Sequence, residues 1–518
     1  MNRTYFQNED HPGPASAGDV SIARNEWNRT NLNIKEETLS AISWNFFGKF
    51  SNQAVQFIVS IILARLLTPD DFGLIGMILV FLGFAELFSG LGFGWGLIQK
   101  KEIDEIHISS VFWLNLVSGL AVSLIMLALS TYIAELYGEP RLKTIVMVMS
   151  LTFLIGALGF VQRALLQRLM DFRSLLIISL AATTFSGVVT ISLALHGFGF
   201  WSLAIDVLIS GLITTGLAWV LSPWRPKFSF AARAIADLSH FSGNLLGFSF
   251  FSYWVRNADN FLVGRYFNAY ALGIYSRAFN IMLLPLNQIS SVISQVMFVS
   301  LSRIQDDKTY VKQIYLRSVA AIALVTFPMM TGLFVVVDSF ILALLGPQWA
   351  DVIPLLRIFC CIGLVQSVLS TTDLIFSSQG RTDLQFRWGI ASGILLIGSF
   401  GIGILLGSIF ALTWCYAFIV CVVLPYPAFF YSGKLIGMKF SEVLRCIRGI
   451  FICASVMAFG VYLFGLLLPS ECPHWLLLIL KTATGVILYY ALLKTFKLRA
   501  YVDVHDVLHE QWRLRHKE

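Results

Sequence analysis

The chain has 518 residues, of which 57% are hydrophobic and 13% charged, where soluble globular chains carry roughly 25% charged residues. That balance excludes a soluble multidomain protein, and 43 Phe and 13 Trp against 14 Pro exclude a disordered or collagen-like one. The formal charge of +7 is spread between apolar runs, where basic residues set membrane topology, so it implies no nucleic-acid partner.

Residues 1–38 are polar and lack the apolar core of a signal peptide, so they are expected to form a cytoplasmic tail, with the first hydrophobic helix as the insertion signal. A membrane-crossing helix needs about 20 mostly apolar residues. Stretches that qualify lie near 42–66, 72–97, 108–134, 142–162, 174–196, 199–221, 238–262, 271–300, 314–337, 351–377, 385–406, 409–432, 448–468 and 474–495. The fold class read from them is an all-α polytopic membrane protein of about fourteen transmembrane helices.

With the N-terminus inside, the cytoplasmic loops hold Lys100, Lys101, Arg163, Arg168, Arg173, Arg225, Lys227, Arg233, Arg303, Lys308, Lys312, Arg381, Lys434, Lys439 and Arg445. The opposite side has Arg65, Arg141, Lys143 and Arg265. The positive-inside rule then places both termini in the cytoplasm. No outer loop is long enough for a catalytic domain. The seven cysteines run from Cys360 to Cys472, mostly inside apolar stretches, a pattern that gives neither a disulfide framework nor a metal site.

An internal repeat organises these spans. Ala64-Arg65-Leu66-Leu67 followed by Phe72-Gly73-Leu74-Ile75 is echoed by Gly264-Arg265-Tyr266-Phe267 followed by Leu272-Gly273-Ile274-Tyr275, at an offset of 200. Six spans per repeat is an even number, so the reading is two parallel six-helix lobes around a central cavity, plus two C-terminal helices. The expected divisions are an N-lobe over 39–222, a cytoplasmic linker over 223–237, a C-lobe over 238–434, the last two spans over 435–496 and a basic cytoplasmic tail over 497–518.

Polar residues at membrane depth are costly and usually face a cavity or another helix. In the first span Asn45, Lys49, Asn52, Gln53, Gln56 and Ser60 recur at three and four residues, one face of a helix. The seventh carries Ser242, Ser249, Ser252, Arg256, Asp259 and Asn260, and the eighth Asn280, Asn287, Gln288, Ser291 and Gln295. These stripes are expected to line one aqueous cavity, with Lys49, Asn52, Gln53, Gln56, Arg256, Asn260, Asn280, Asn287 and Gln288 contacting substrate. Lys49 could instead snorkel to the headgroups. Arg256 and Asp259 suit either a structural ion pair or a functional cation with its counter-ion. Glu86, read as a buried acid midway along the second span, and Asp259 are the candidates for ion coupling. Asp206, Arg357 and Asp373 read as interfacial.

Enzymatic signatures are weak. Gly48-Lys49 and Gly433-Lys434 lack the flanking residues of a P-loop, and Asp70-Asp71 after Thr68-Pro69 reads as a helix cap before it reads as a metal site. His505 and His509 lack a third ligand. No cofactor and no bound metal is expected.

Four segments carry a resemblance: Leu63-Ala64-Arg65-Leu66-Leu67-Thr68-Pro69-Asp70-Asp71-Phe72-Gly73-Leu74, Ile98-Gln99-Lys100-Lys101-Glu102, Ser302-Arg303-Ile304-Gln305-Asp306-Asp307, and Leu345-Gly346-Pro347-Gln348-Trp349 followed by Pro354. In this order, and with the repeat, the chain resembles the polysaccharide-transporter branch of the multidrug, oligosaccharidyl-lipid and polysaccharide exporter superfamily. It is most similar there to the colanic-acid type of repeat-unit flippase. The resemblance implies a central cationic cavity and translocation of undecaprenyl-diphosphate-linked oligosaccharide across a bacterial inner membrane. It further implies coupling to a proton or sodium gradient, contact with membrane lipids and association with a polysaccharide polymerase and export machinery. A small-molecule antiporter or a peptidoglycan-precursor flippase shares the fold and stays open; a membrane polymerase or ligase lacks the loop it would need.

Overall fold

The computed structural model describes residues 48, 50–89, 103–469, 472–496 and 501–502, without the side chains of 89, 232–248, 289–296 and 299. Lys49, the polar tail over 1–38, Lys100-Lys101 and the two tail histidines lie outside the described residues. Among the described residues the chain is helical, with no strand.

In chain order the helices are α1 (Phe50–Leu66), α2 (Pro69–Ser89), α3 (Glu105–Tyr137), α4 (Arg141–Met149), α5 (Leu151–Arg168), α6 (Phe172–Leu195) and α7 (Phe200–Leu221). The second half holds α8 (Ala232–Tyr266), α9 (Ala269–Arg303), α10 (Lys308–Leu344), α11 (Val352–Leu369), α12 (Thr372–Ser378), α13 (Thr382–Leu405), α14 (Ile409–Phe418) and α15 (Pro425–Ile436). α16 (Phe440–Leu467) and α17 (His474–Phe496) follow. Among the described residues eleven helical segments are long and apolar enough to cross a membrane, and α1 is a shorter apolar helix. α8 and α9 are more polar, but at 35 residues each they reach about 50 Å, beyond a bilayer core of about 30 Å.

The repeat is visible in how the helices begin. Thr68 and Asp71 cap α2 reciprocally: the Thr68 hydroxyl donates to Asp71 Oδ2 at 2.7 Å and the Asp71 amide donates to the Thr68 hydroxyl at 3.4 Å. Two hundred residues on, Asn268 caps α9 by accepting from the Ala271 amide at 2.7 Å. Both caps satisfy first-turn donors that have no partner within the helix, and this is the structural role of Asp71.

The two caps start the helices that join the lobes. A Cβ at Gly73 would stand 1.7 Å from the Ala269 carbonyl oxygen, and one at Gly273 would stand 1.9 Å from that of Pro69. Residues 69 and 269, and 73 and 273, are repeat mates, so the contact is reciprocal about the axis relating the lobes. Only glycine allows backbones this close. The main apolar core sits along this α2–α9 seam, with Leu74, Met77, Ile78, Leu272, Tyr275 and Met282 all buried. α16 packs on α10 through Met457, Val461 and Val336, outside the repeat, while α17 leaves Val486 and Ile487 exposed as a lipid-facing surface.

Candidate functional site

A cavity of about 360 Å³ opens between the lobes, against α1 and α9. Gln53, Gln56 and Ser60 enter from α1, and Arg277, Asn280 and Asn287 from α9. Positions 53, 56 and 60 recur at helical spacing, as do 277, 280, 284 and 287, so each helix turns one polar face inward. Pro285 lies within this stretch of α9; lacking an N–H, it cannot bond the carbonyl of Ile281, itself a lining residue.

Arg277 supplies the cavity's cation. Its Nη1 donates to Ser60 Oγ and its Nη2 to the Ser60 carbonyl, both at 2.9 Å. The guanidinium lies 5.1 Å from the ring centroid of Phe72 and 5.4 Å from that of Trp349, a double cation–π setting. Its Nε is buried with no acceptor, and among the described residues no carboxylate pairs with it. A buried guanidinium with an unused donor and, among the described residues, no counter-ion is set up for an anion.

One end of the cavity is shut. The last carbonyls of a helix have no partner inside it, and here the two lobes supply each other's. Trp349 Nε1 donates to the Ala64 carbonyl at 2.7 Å, and Gln348 Nε2 donates to the same oxygen at 2.9 Å. In return Arg65 Nε donates to the Leu344 carbonyl at 2.9 Å, and its Nη2 bonds the Ala343 carbonyl. The Gly346–Trp349 turn therefore caps α1, and Arg65 caps α10. Gly346 reaches φ 103° there, a conformation that suits glycine.

Several residues expected in the cavity stand elsewhere. Asn52 accepts from Thr183 Oγ1 of α6 at 2.8 Å and so serves packing inside the N-lobe. Gln288 is exposed and lies outside the lining. Arg256 is exposed and donates from Nε to the carbonyl of Ser252 at 3.3 Å. The Arg256–Asp259 ion pair is absent: Asp259, 5% exposed, accepts from the Tyr275 hydroxyl at 3.1 Å and from the Asn260 amide at 2.8 Å. Asn260 buries its Oδ1 without a partner. Asp259 of the α8 stripe thus turns to α9, and it is α9 that lines the cavity opposite α1. Glu86 is exposed, not buried, and lies within electrostatic range of Arg163 of α5 and Tyr253 of α8. Asp206 accepts from Thr190 at 2.9 Å, and Arg357 pairs with Asp338 at 2.6 Å.

Sequence reasoning missed Arg277. Its position three residues before Asn280, on the same helical face, was the available signal.

A membrane bundle of two repeat-related lobes around a cation-bearing cavity defines the class: a transporter of the fold shared by lipid flippases and multidrug exporters. The family model described as "Polysaccharide biosynthesis protein" matches residues 62–354, more than half of the chain, and the chain belongs to that family. It is 27% identical over 501 residues to the teichuronic acid biosynthesis protein TuaB of Bacillus subtilis, covering 93% of this chain and 99% of that one. It is 26% identical over 475 residues to the succinoglycan biosynthesis transport protein ExoT of Rhizobium meliloti, covering 89% and 93%. It is 25% identical over 378 residues to the lipopolysaccharide biosynthesis protein WzxC of Escherichia coli, covering 72% and 76%. Among solved structures, the lipid II flippase MurJ in an inward closed conformation superposes with a TM-score of 0.72 at 14% identity, covering 88% of this chain and 98% of that one. An inward-facing MATE family multidrug transporter superposes at 0.58 and 14%, covering 75% and 96%. At such identities the likeness is one of fold.

Proposed function

We propose that this protein is a secondary transporter, not an enzyme, that moves a polyprenyl-diphosphate-linked oligosaccharide from the cytoplasmic to the outer leaflet of a bacterial inner membrane. The observation that carries the reading is Arg277, a cation without a counter-ion, set among Gln53, Gln56, Asn280 and Asn287. Diphosphate is a doubly ionised group that cannot cross hydrocarbon unaided, and guanidinium pairs with it strongly. The amides offer donors and acceptors to sugar hydroxyls, while a polyprenyl chain stays in lipid. Names of relatives support the cargo class: ExoT is a transport protein of succinoglycan biosynthesis, and TuaB and WzxC belong to teichuronic acid and lipopolysaccharide biosynthesis.

The distribution of Lys and Arg among the loops supports an orientation with the sealed end, with Arg65 and Trp349, on the outer side and both termini in the cytoplasm. The cavity then receives cargo from the inner leaflet. Lys49, four residues before Gln53 in the sequence, would serve the cytoplasmic mouth. Asp259 is the better-placed coupling group of the two acids, because a carboxylate buried without a cation beside it invites a proton or a sodium ion. A polymerase and export machinery would take the delivered unit.

Deletion in the source bacterium tests this reading. Surface polysaccharide should be lost and lipid-linked repeat units should accumulate, with drug tolerance unchanged, and Arg277→Ala at normal membrane abundance should reproduce the deletion. Loss of drug tolerance with intact polysaccharide would instead assign the antiporter function.

A further inference from the structure

Resting on the transport reading above, we propose that Arg277 is also the latch of the outer closure, so that capture of the cargo's diphosphate is what unlocks the sealed end. The same guanidinium belongs to two structures. It lines the cavity beside Asn280 and Asn287, and it is held by Ser60 of α1, by Phe72 of α2 and by Trp349 of the capping turn. Trp349 in turn closes the lobes by donating to Ala64 and by packing edge-on against Phe72, with ring centroids 5.3 Å apart. One side chain therefore touches both lobes and the turn that seals them.

A diphosphate entering the cavity competes for these donors. The neutral Ser60 hydroxyl and carbonyl are weaker partners than phosphate oxygens, because hydrogen bonds to ionised acceptors are the stronger kind. As the guanidinium turns to the anion, Ser60 loses both of its bonds and Trp349 loses the cation over its ring. The closure is left with the Gln348 and Trp349 bonds to Ala64 and the Arg65 bonds to α10. The trigger is the doubly charged linkage, common to every lipid-diphosphate cargo, and the sugars need play no part in it.

Linkage gives a test that leaves Arg277 itself in place, and in Gln348→Met leaves every group in contact with it unchanged. If binding competes with closure, the apparent affinity for diphosphate is reduced by the fraction of molecules that are latched. Weakening the seal must then tighten binding. Gln348→Met removes the donor to Ala64 without opening a void, and Trp349→Phe removes the indole donor while keeping a ring. Each takes about one net hydrogen bond from the closed state, so undecaprenyl diphosphate should bind up to roughly fivefold more tightly to these variants in lipid nanodiscs. Spin labels at Phe198→Cys and Leu406→Cys, both exposed at the sealed end, in a version with its native cysteines replaced, should report a longer distance. Undecaprenyl diphosphate should lengthen that distance in otherwise unaltered protein, and undecaprenol, which lacks the phosphates, should not.

If Gln348→Met and Trp349→Phe lengthen the distance while diphosphate affinity stays unchanged, Arg277 is not a latch, and the diphosphate reading stands. If both variants leave distance and affinity unaltered, the capping turn does not hold the seal and the proposal falls. If undecaprenyl diphosphate binds neither the variants nor the unaltered protein, the transport reading itself fails.

Discussion

At the scale of single residues, two ionisable groups, Arg277 and Asp259, have no opposite charge paired with them among the described residues. Arg277 meets two atoms of Ser60 and two aromatic rings, so its substitution has separable consequences. Arg277→Ala should weaken binding of a polyprenyl diphosphate roughly 10- to 100-fold, the size of a charge-assisted contact, measured by titration in nanodiscs. Arg277→Lys keeps the charge but loses the planar fork, and should recover only part of the affinity. Asp259→Asn keeps the Tyr275 contact sterically while removing the carboxylate; transport should fall and lose its dependence on the ion gradient, measured in vesicles with an imposed pH or sodium difference. Undiminished, gradient-dependent transport by this variant would move the coupling site elsewhere. The sequence disclosed most of the cavity's amides but not its cation. Gln53, Gln56, Asn280 and Asn287 stand out because amides are rare at membrane depth, whereas Arg277 carries a charge that topology markers share, and only its place three residues before Asn280 on one helical face sets it apart. Asn52 shows the converse failure: it sits one turn before Gln56 on the wheel, and periodicity cannot tell a face turned to a cavity from one turned to Thr183 of the same lobe.

At the scale of elements, the most informative contact is the reciprocal crossing of α2 and α9. Sequence showed the Phe72-Gly73 and Leu272-Gly273 echo, and the structure gives its reason: each glycine lies against the backbone of the other repeat's first turn. Gly73→Ala puts a methyl group where the Ala269 carbonyl oxygen stands, and a backbone atom cannot yield as a side chain can. Gly73→Ala and Gly273→Ala should therefore each lengthen the distance between labels at Phe198→Cys and Leu406→Cys and lower the thermal midpoint. Gly216→Ala, where no atom lies within 4 Å of the added Cβ, should leave the distance unchanged. The Leu345–Trp349 segment was equally visible as a sequence signature, yet its role was not, because its partner Ala64 lies 285 residues away along the chain. Contacts of that separation leave no periodic trace. The reading of α8 failed on a nearer contact: Asp259 accepts from the Tyr275 hydroxyl of the next helix, α9, and is not among the residues lining the cavity.

At the scale of the whole molecule, lobes, seal and cavity form, on the proposed reading, an alternating-access transporter, with an orientation proposed from the distribution of basic residues. Cys472 is partly exposed in the turn before α17, and Lys434 is exposed near the end of α15. An impermeant thiol reagent on intact cells should label Cys472 and leave Lys434→Cys unlabelled; the reverse pattern would invert the topology and place the seal on the cytoplasmic side. The central claim is that a diphosphate-linked lipid crosses the membrane through the Arg277 cavity. It is tested most directly by reconstituting the protein in vesicles with a polyprenyl-diphosphate oligosaccharide carrying a fluorescent sugar and following its exposure to an impermeant quencher. The account predicts that label from the shielded leaflet becomes quenchable with wild-type protein and stays shielded with Arg277→Ala; equal rates for the two proteins, or no movement with either, would contradict it.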